Sequence, residues 1–132
     1  MAERINLDVA ASLSSLSTIR RVLGGLAARL GFSLDDIDDL YLSTEEVIRC
    51  ALGHESPERL RLEMLVSDDG LRIEMGGFSS SELRAELRCD AAATDVVDLA
   101  CLLRNTVDEV CVQEQAGGAF TVALVRGHRS LP

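Results

Sequence analysis

The chain has 132 residues, a length that suits one domain with its own core and needs no disulfide or metal staple. It carries a formal net charge of −9, and all 13 of its Lys-or-Arg positions are arginine. So acidic a chain does not replace the counterions of phosphate backbones or anionic lipids, so neither nucleic acid nor membrane is expected as a partner. A Walker-type phosphate loop is excluded because it needs a lysine.

Residues 4–10 alternate, with Ile5, Leu7 and Val9 on one side, and predict a first strand at a sheet edge. Ser12 then caps a helix that runs to Leu30, with Leu13, Leu16, Ile19, Val22, Leu23, Leu26 and Leu30 at helical spacing. Gly24 and Gly25 fall inside it, and Gly31 ends it. Ser33 starts a second helix, with Asp35 and Asp36 in its positive first turn. Its predicted inward stripe is Leu34, Ile37, Leu40, Tyr41, Thr44, Val47, Ile48 and Ala51, and Gly53 is its predicted stop.

The period then changes to two. Leu60, Leu62, Met64 and Val66 alternate with polar residues, a turn falls at 67–70, and Leu71, Ile73 and Met75 continue the pattern, so a hairpin with one solvated face is predicted. Gly76 and Gly77 are read as breaking the strand. The run Ser79-Ser80-Ser81-Glu82 reads as a capping box for a short helix carrying Leu83 and Leu87. A third long helix is predicted over 91–105, with Asp90 and Asp95 flanking its start. Two further strands follow, over 107–114 and 119–126. This order calls for an α+β sandwich of two layers: a mixed, mostly antiparallel sheet of about five strands with three main helices on one face. The whole chain, 1–132, is read as one domain.

Cys50, Cys89, Cys101 and Cys111 lack the spacing of a zinc knuckle and are expected to be reduced and mostly buried. The opening residues show no apolar signal segment and no run reaches membrane-spanning length, so a cytoplasmic location is expected.

On the second helix, Glu46, Cys50 and His54 are four residues apart and form one row. Taken alone, that row is an ordinary amphipathic face. With the element order and the closing hairpin (Val107–Val110, then Gly117–Val122), it resembles the GHKL ATPase superfamily, and within it the anti-sigma-factor serine/threonine kinases of bacterial partner switching. The resemblance implies ATP and Mg²⁺ as ligands, Glu46 as the catalytic group if the chain is active, and Cys50, His54, Gly76 and Gly77 at positions matching the nucleotide site. It also implies a sigma factor or an anti-anti-sigma-type regulator as partner, and a homodimer. The adjacent pair Arg20 and Arg21, on the first helix, is the expected partner surface.

Three departures from the family pattern stand out. Cys50 occupies the place of the Mg²⁺-binding Asn, and sulfur is a poor ligand for a hard cation. The strand ending at Gly76-Gly77-Phe78 lacks the adenine-binding Asp, for which Glu74 in the strand and Asp68 in the turn before Gly70 are imperfect substitutes. No glycine occurs between Phe78 and Asn105, where the family has a glycine-rich lid, and Asp90 and Asp95 would repel a triphosphate. The expectation is therefore a regulator that binds proteins and no cofactor. The alternatives are an active kinase and a phosphotransfer protein using His54.

Overall fold

The computed structural model describes residues 3–87 and 99–127. The expectations placed on Cys89, Asp90, Asp95 and the first part of the third helix lie outside those residues. Five strands form one sheet: β1 (Glu3–Ala10), β2 (Arg59–Ser67), β3 (Gly70–Phe78), β4 (Glu109–Glu114) and β5 (Phe120–Gly127), in the order β1-β2-β3-β5-β4. Every pairing among them is antiparallel, which corrects the expected mixed sheet. The reason lies in the connections. Between β1 and β2 the chain leaves through two helices and comes back to the end of the sheet it left, so Ala10 pairs with Arg59. β2 and β3 are joined over Asp68 and Asp69 alone, with Ser67 opposite Gly70.

The three main helices and the short one expected from the sequence are all described: α1 (Leu16–Arg29), α2 (Leu34–His54), the short α3 (Ser81–Leu87) and α4 (Leu99–Thr106). Their apolar residues join one core with the inward sheet face, where Leu62, Met64, Ile73, Met75, Val122 and Leu124 are buried. Each such side chain contributes roughly 1.5–3 kcal/mol through burial. Period-two alternation leaves the opposite face polar. It carries cross-strand ion pairs such as Arg4–Glu63 at 3.0 Å and Arg59–Asp8 at 2.8 Å.

The helix ends follow their sequence signals with local exceptions. Residues 13–15 form a 3₁₀ turn before α1, capped by the Ser12 hydroxyl, and Leu13 is 51% exposed instead of inward. Gly31, at φ 75°, ends α1: its N–H donates to Ala28 O, and the next N–H, of buried Phe32, donates to Ala27 O. The Ser33 hydroxyl accepts the Asp36 N–H at 3.1 Å and caps α2. Leu34 stands at the first helical position, too early to reach the core, and is 79% exposed. Gly53 does not stop α2, because nothing there demands a left-handed residue; the helix runs on to His54 and extended Glu55 terminates it. Nor do Gly76 and Gly77 break β3. A bulge between Gly76 and Phe78 absorbs the extra residue, and the strand continues to Phe78.

Candidate functional site

The site lies where the last turns of α2 meet α3. Glu46, Cys50 and His54 follow one another along α2 at one-turn intervals, with Glu46 and Cys50 half-buried and His54 exposed. Val47, Ile48 and Ala51, facing the core, hold this part of the helix in place.

Three sets of contacts position α3. The Glu55 carboxylate accepts the N–H groups of Ser79 and Ser80, at 3.1 and 2.7 Å. The Ser80 hydroxyl accepts the Leu83 N–H at 3.1 Å, so the cap is Ser80, one residue later than the expected box. Glu82 instead accepts the hydroxyls of Ser80 and Ser81. At the other side, the Arg84 guanidinium lies 4.6 Å from the Phe120 ring centroid and donates to Gly118 O and Glu114. Leu83 is fully buried beneath. The short helix is thereby tied to both α2 and the β4–β5 hairpin.

This arrangement brings Glu86 against the α2 row. The Cys50 thiol donates to Glu86 Oε2 at 2.9 Å. Burial first, then that hydrogen bond and the charges of Glu86 and Glu46, push the Cys50 thiol up to about 12. The sulfur therefore keeps its proton at neutral pH and is not a nucleophile. Glu86, Glu55 and Arg84 were not singled out in the sequence. Their roles come from contacts between α3 and α2 or the β4–β5 hairpin, which no local periodicity encodes.

Gly76 and Gly77 are positioned differently. Gly76 lies on the open sheet face, where an added Cβ would come within 2.3 Å of Thr121 Cγ2, so its small size is set by the neighbouring strand. Gly77 holds the bulge at φ 81°. Both line a groove on that open face with Asn6, Arg61, Glu74 and Thr121. Glu74 has Arg72 3.7 Å away and points to the same open face, away from Met75. Arg20 and Arg21 are exposed on α1, and Arg20 stacks 4.8 Å from the Tyr41 ring centroid on α2. Cys50 and Cys111 are free thiols, as expected, and Cys50, Cys101 and Cys111 are half-buried rather than buried.

The residues of the row do not fit Mg²⁺. Where the resemblance requires an oxygen ligand, the chain presents a protonated sulfur bonded to a carboxylate.

No family model matches the chain. Serine-protein kinase RsbW of Bacillus subtilis is 27% identical over 144 residues, covering 95% of this chain and 86% of that protein. RsbW of Bacillus cereus is 27% identical over 90 residues, and that of Halalkalibacterium halodurans 28% over 90 residues. In those two alignments the chain spans 56% of the relative's length. Among solved structures, the RsbU and RsbW domains of a Mycobacterium tuberculosis protein superpose with a TM-score of 0.68 at 17% identity, over 97% of this chain and 33% of that one. The chain therefore has the fold of an RsbW domain. In sequence the chain is similar to the serine-protein kinase RsbW along nearly its whole length.

Proposed function

We propose that the chain is an anti-sigma-factor-like regulator that works by protein–protein binding in a partner switch and has lost productive ATP binding. Its partners in this reading are a sigma factor and an anti-anti-sigma-type regulator, it pairs with a second copy of itself, and it acts in the cytoplasm. No described helix is long and apolar enough to cross a membrane. Homology to the RsbW kinases supports the regulatory role. One observation carries the loss of nucleotide: Cys50 presents its thiol to Glu86 in place of an oxygen ligand for Mg²⁺.

The printed name of the relatives, serine-protein kinase, favours a second reading, a working kinase with Glu46 as its base. Calorimetry and thermal shift with Mg-ATP and Mg-ADP separate the two. A ligand at 100 times its Kd stabilises by about 2.7 kcal/mol. The expected result is no saturable heat and no shift below ~1 mM nucleotide, a bound set by the missing Mg²⁺ ligand. Saturable binding in that range overturns the proposal and favours the kinase, and Cys50→Asn is then expected to tighten it.

A further inference from the structure

Among the described residues, one group of side chains has the composition and closeness of a metal site: Cys50, His54 and Glu86, whose ligand atoms all lie within 4.8 Å of one another. We propose that these three residues bind a divalent transition-metal ion of borderline softness, with Zn²⁺ as the type ion. This proposal does not rest on the protein-binding role above, and its test uses no nucleotide.

A spacing of four places Cys50 and His54 on one face of α2, the same geometry by which paired side chains on a helix chelate a cation. The third ligand comes from a different element, and that element is already held. Ser80 caps α3, Glu55 holds the N–H groups that precede it, and Arg84 ties it to the closing hairpin. Glu86 is thus delivered to Cys50 without ordering a loop.

Zinc–ligand bonds of about 2.0–2.3 Å place tetrahedral ligand atoms roughly 3.2–3.8 Å apart. Closing from the present spacing takes side-chain rotation of about 1 Å, and His54 and Glu86, both exposed, have room to turn. On binding, a metal–sulfur bond forms and the thiol proton leaves to solvent. The Glu86 oxygen that had accepted that proton's hydrogen bond is then released to ligate the metal. A thiolate, an imidazole and a carboxylate suit Zn²⁺ or Co²⁺ and disfavour Mg²⁺ and Ca²⁺, which want oxygen throughout. Three protein ligands leave one position open, so the bound ion is accessible to a fourth ligand from solvent or from a partner protein. The ion would also staple α2 to α3.

The test is titration of the purified protein with CoCl₂, followed by absorption spectroscopy. The expected outcome is saturation at one equivalent, with the visible bands of a tetrahedral site and a sulfur-to-cobalt charge-transfer band. ZnCl₂ should bleach both, and a large excess of MgCl₂ should leave them unchanged. Cys50→Ser should abolish the charge-transfer band, and His54→Gln and Glu86→Gln should each weaken binding at least tenfold. Cys101→Ser and Cys111→Ser should bind as wild type. No charge-transfer band in the wild type, or its persistence in Cys50→Ser, overturns the proposal. Should Cys50→Ser fail to fold, Glu86→Gln carries the test alone, because its side chain is exposed, and unaltered cobalt affinity in that variant is equally fatal.

Discussion

Arg126 occupies an inward position of β5, in line with Phe120, Val122 and Leu124, and only 5% of it is exposed. The sheet tolerates it because two acceptors meet it. Its guanidinium donates to Thr106 O at 2.7 Å and pairs with Asp36 in the first turn of α2, with Asp39 3.8 Å away. Alternation along β5 places Arg126 on the core side, in step with Phe120, Val122 and Leu124. Its partner was hidden because Asp36 also serves the helix N-terminus, a local role that sufficed to explain it. Removing one member of a buried pair costs about 3–5 kcal/mol because the other charge stays buried. Asp36→Ala should fall near the low end of that range, since Asp39 remains, and Arg126→Met with Asp36→Leu should lose less than Asp36→Ala alone. The pair also sets an acid limb. Burial alone raises the Asp36 carboxyl, but the Arg126 hydrogen bond, the Ser33 cap and the Arg126 charge outweigh it, and the net position is below the ordinary aspartate value. The resulting stability is complete above the ordinary aspartate range and is lost as pH falls through the depressed value. Urea unfolding across the acid range should therefore be steeper with pH in the wild type than in the double variant. Parallel pH profiles for the two proteins count against this role for the pair.

At the scale of elements, the sequence pattern was most informative where a periodic stripe ran long. The α1 and α2 stripes apart from Leu13 and Leu34, the alternation of β2 and β3 and the Ser33 and Gly31 signals appear in the structure, whereas β5 is buried on both faces along most of its length. It was least informative where a single glycine was asked to mean one thing. Gly53 lies inside α2, Gly76 answers to Thr121, and Gly77 makes a bulge. Gly24 and Gly25 are another case. They sit in the middle of α1, and a Cβ added at either meets nothing within 4 Å. They serve no packing inside the described protein, and each costs about 1 kcal/mol of helix stability relative to alanine. Gly24→Ala and Gly25→Ala should each raise the melting temperature by roughly 3–5 °C. Unchanged or lower melting temperatures would show that this stretch of α1 meets something beyond the chain itself.

For the whole molecule, α1 is the surface proposed to meet a partner. Arg20 and Arg21 were expected to act as an adjacent pair, yet the structure separates their roles. Arg20 lies over Tyr41 and helps join α1 to α2, a contact worth about 0.5–1 kcal/mol at an exposed site. Arg21 is exposed, and an arginine fork there is suited to a carboxylate on another surface. In solution the chain should run as a dimer. Arg21→Glu should shift it toward monomer with an unchanged melting temperature, whereas Arg20→Glu should also lower stability slightly. Light scattering and thermal melts read both, and an Arg21→Glu protein with wild-type mass would remove α1 from the interface. The sequence marked the α2 row of the candidate site and missed the residues that complete it. Glu86, Glu55 and Arg84 matter only because α3 folds back between α2 and β5. A contact that spans 36 positions, as Cys50–Glu86 does, leaves no trace in spacing or composition.

The pairing of Glu3 with Val66 and of Ala10 with Arg59 has a consequence for synthesis on the ribosome. On emerging, β1 must wait for β2, about sixty residues later, which at 5–20 residues per second is roughly three to twelve seconds. The β2–β3 hairpin, closed by two residues, needs only microseconds once it is out. During that wait Ile5, Leu7 and Val9 have no partner strand. Glu3, Arg4 and Asp8, set among them, act as gatekeepers that discourage a nascent chain from pairing with its neighbours on the same message.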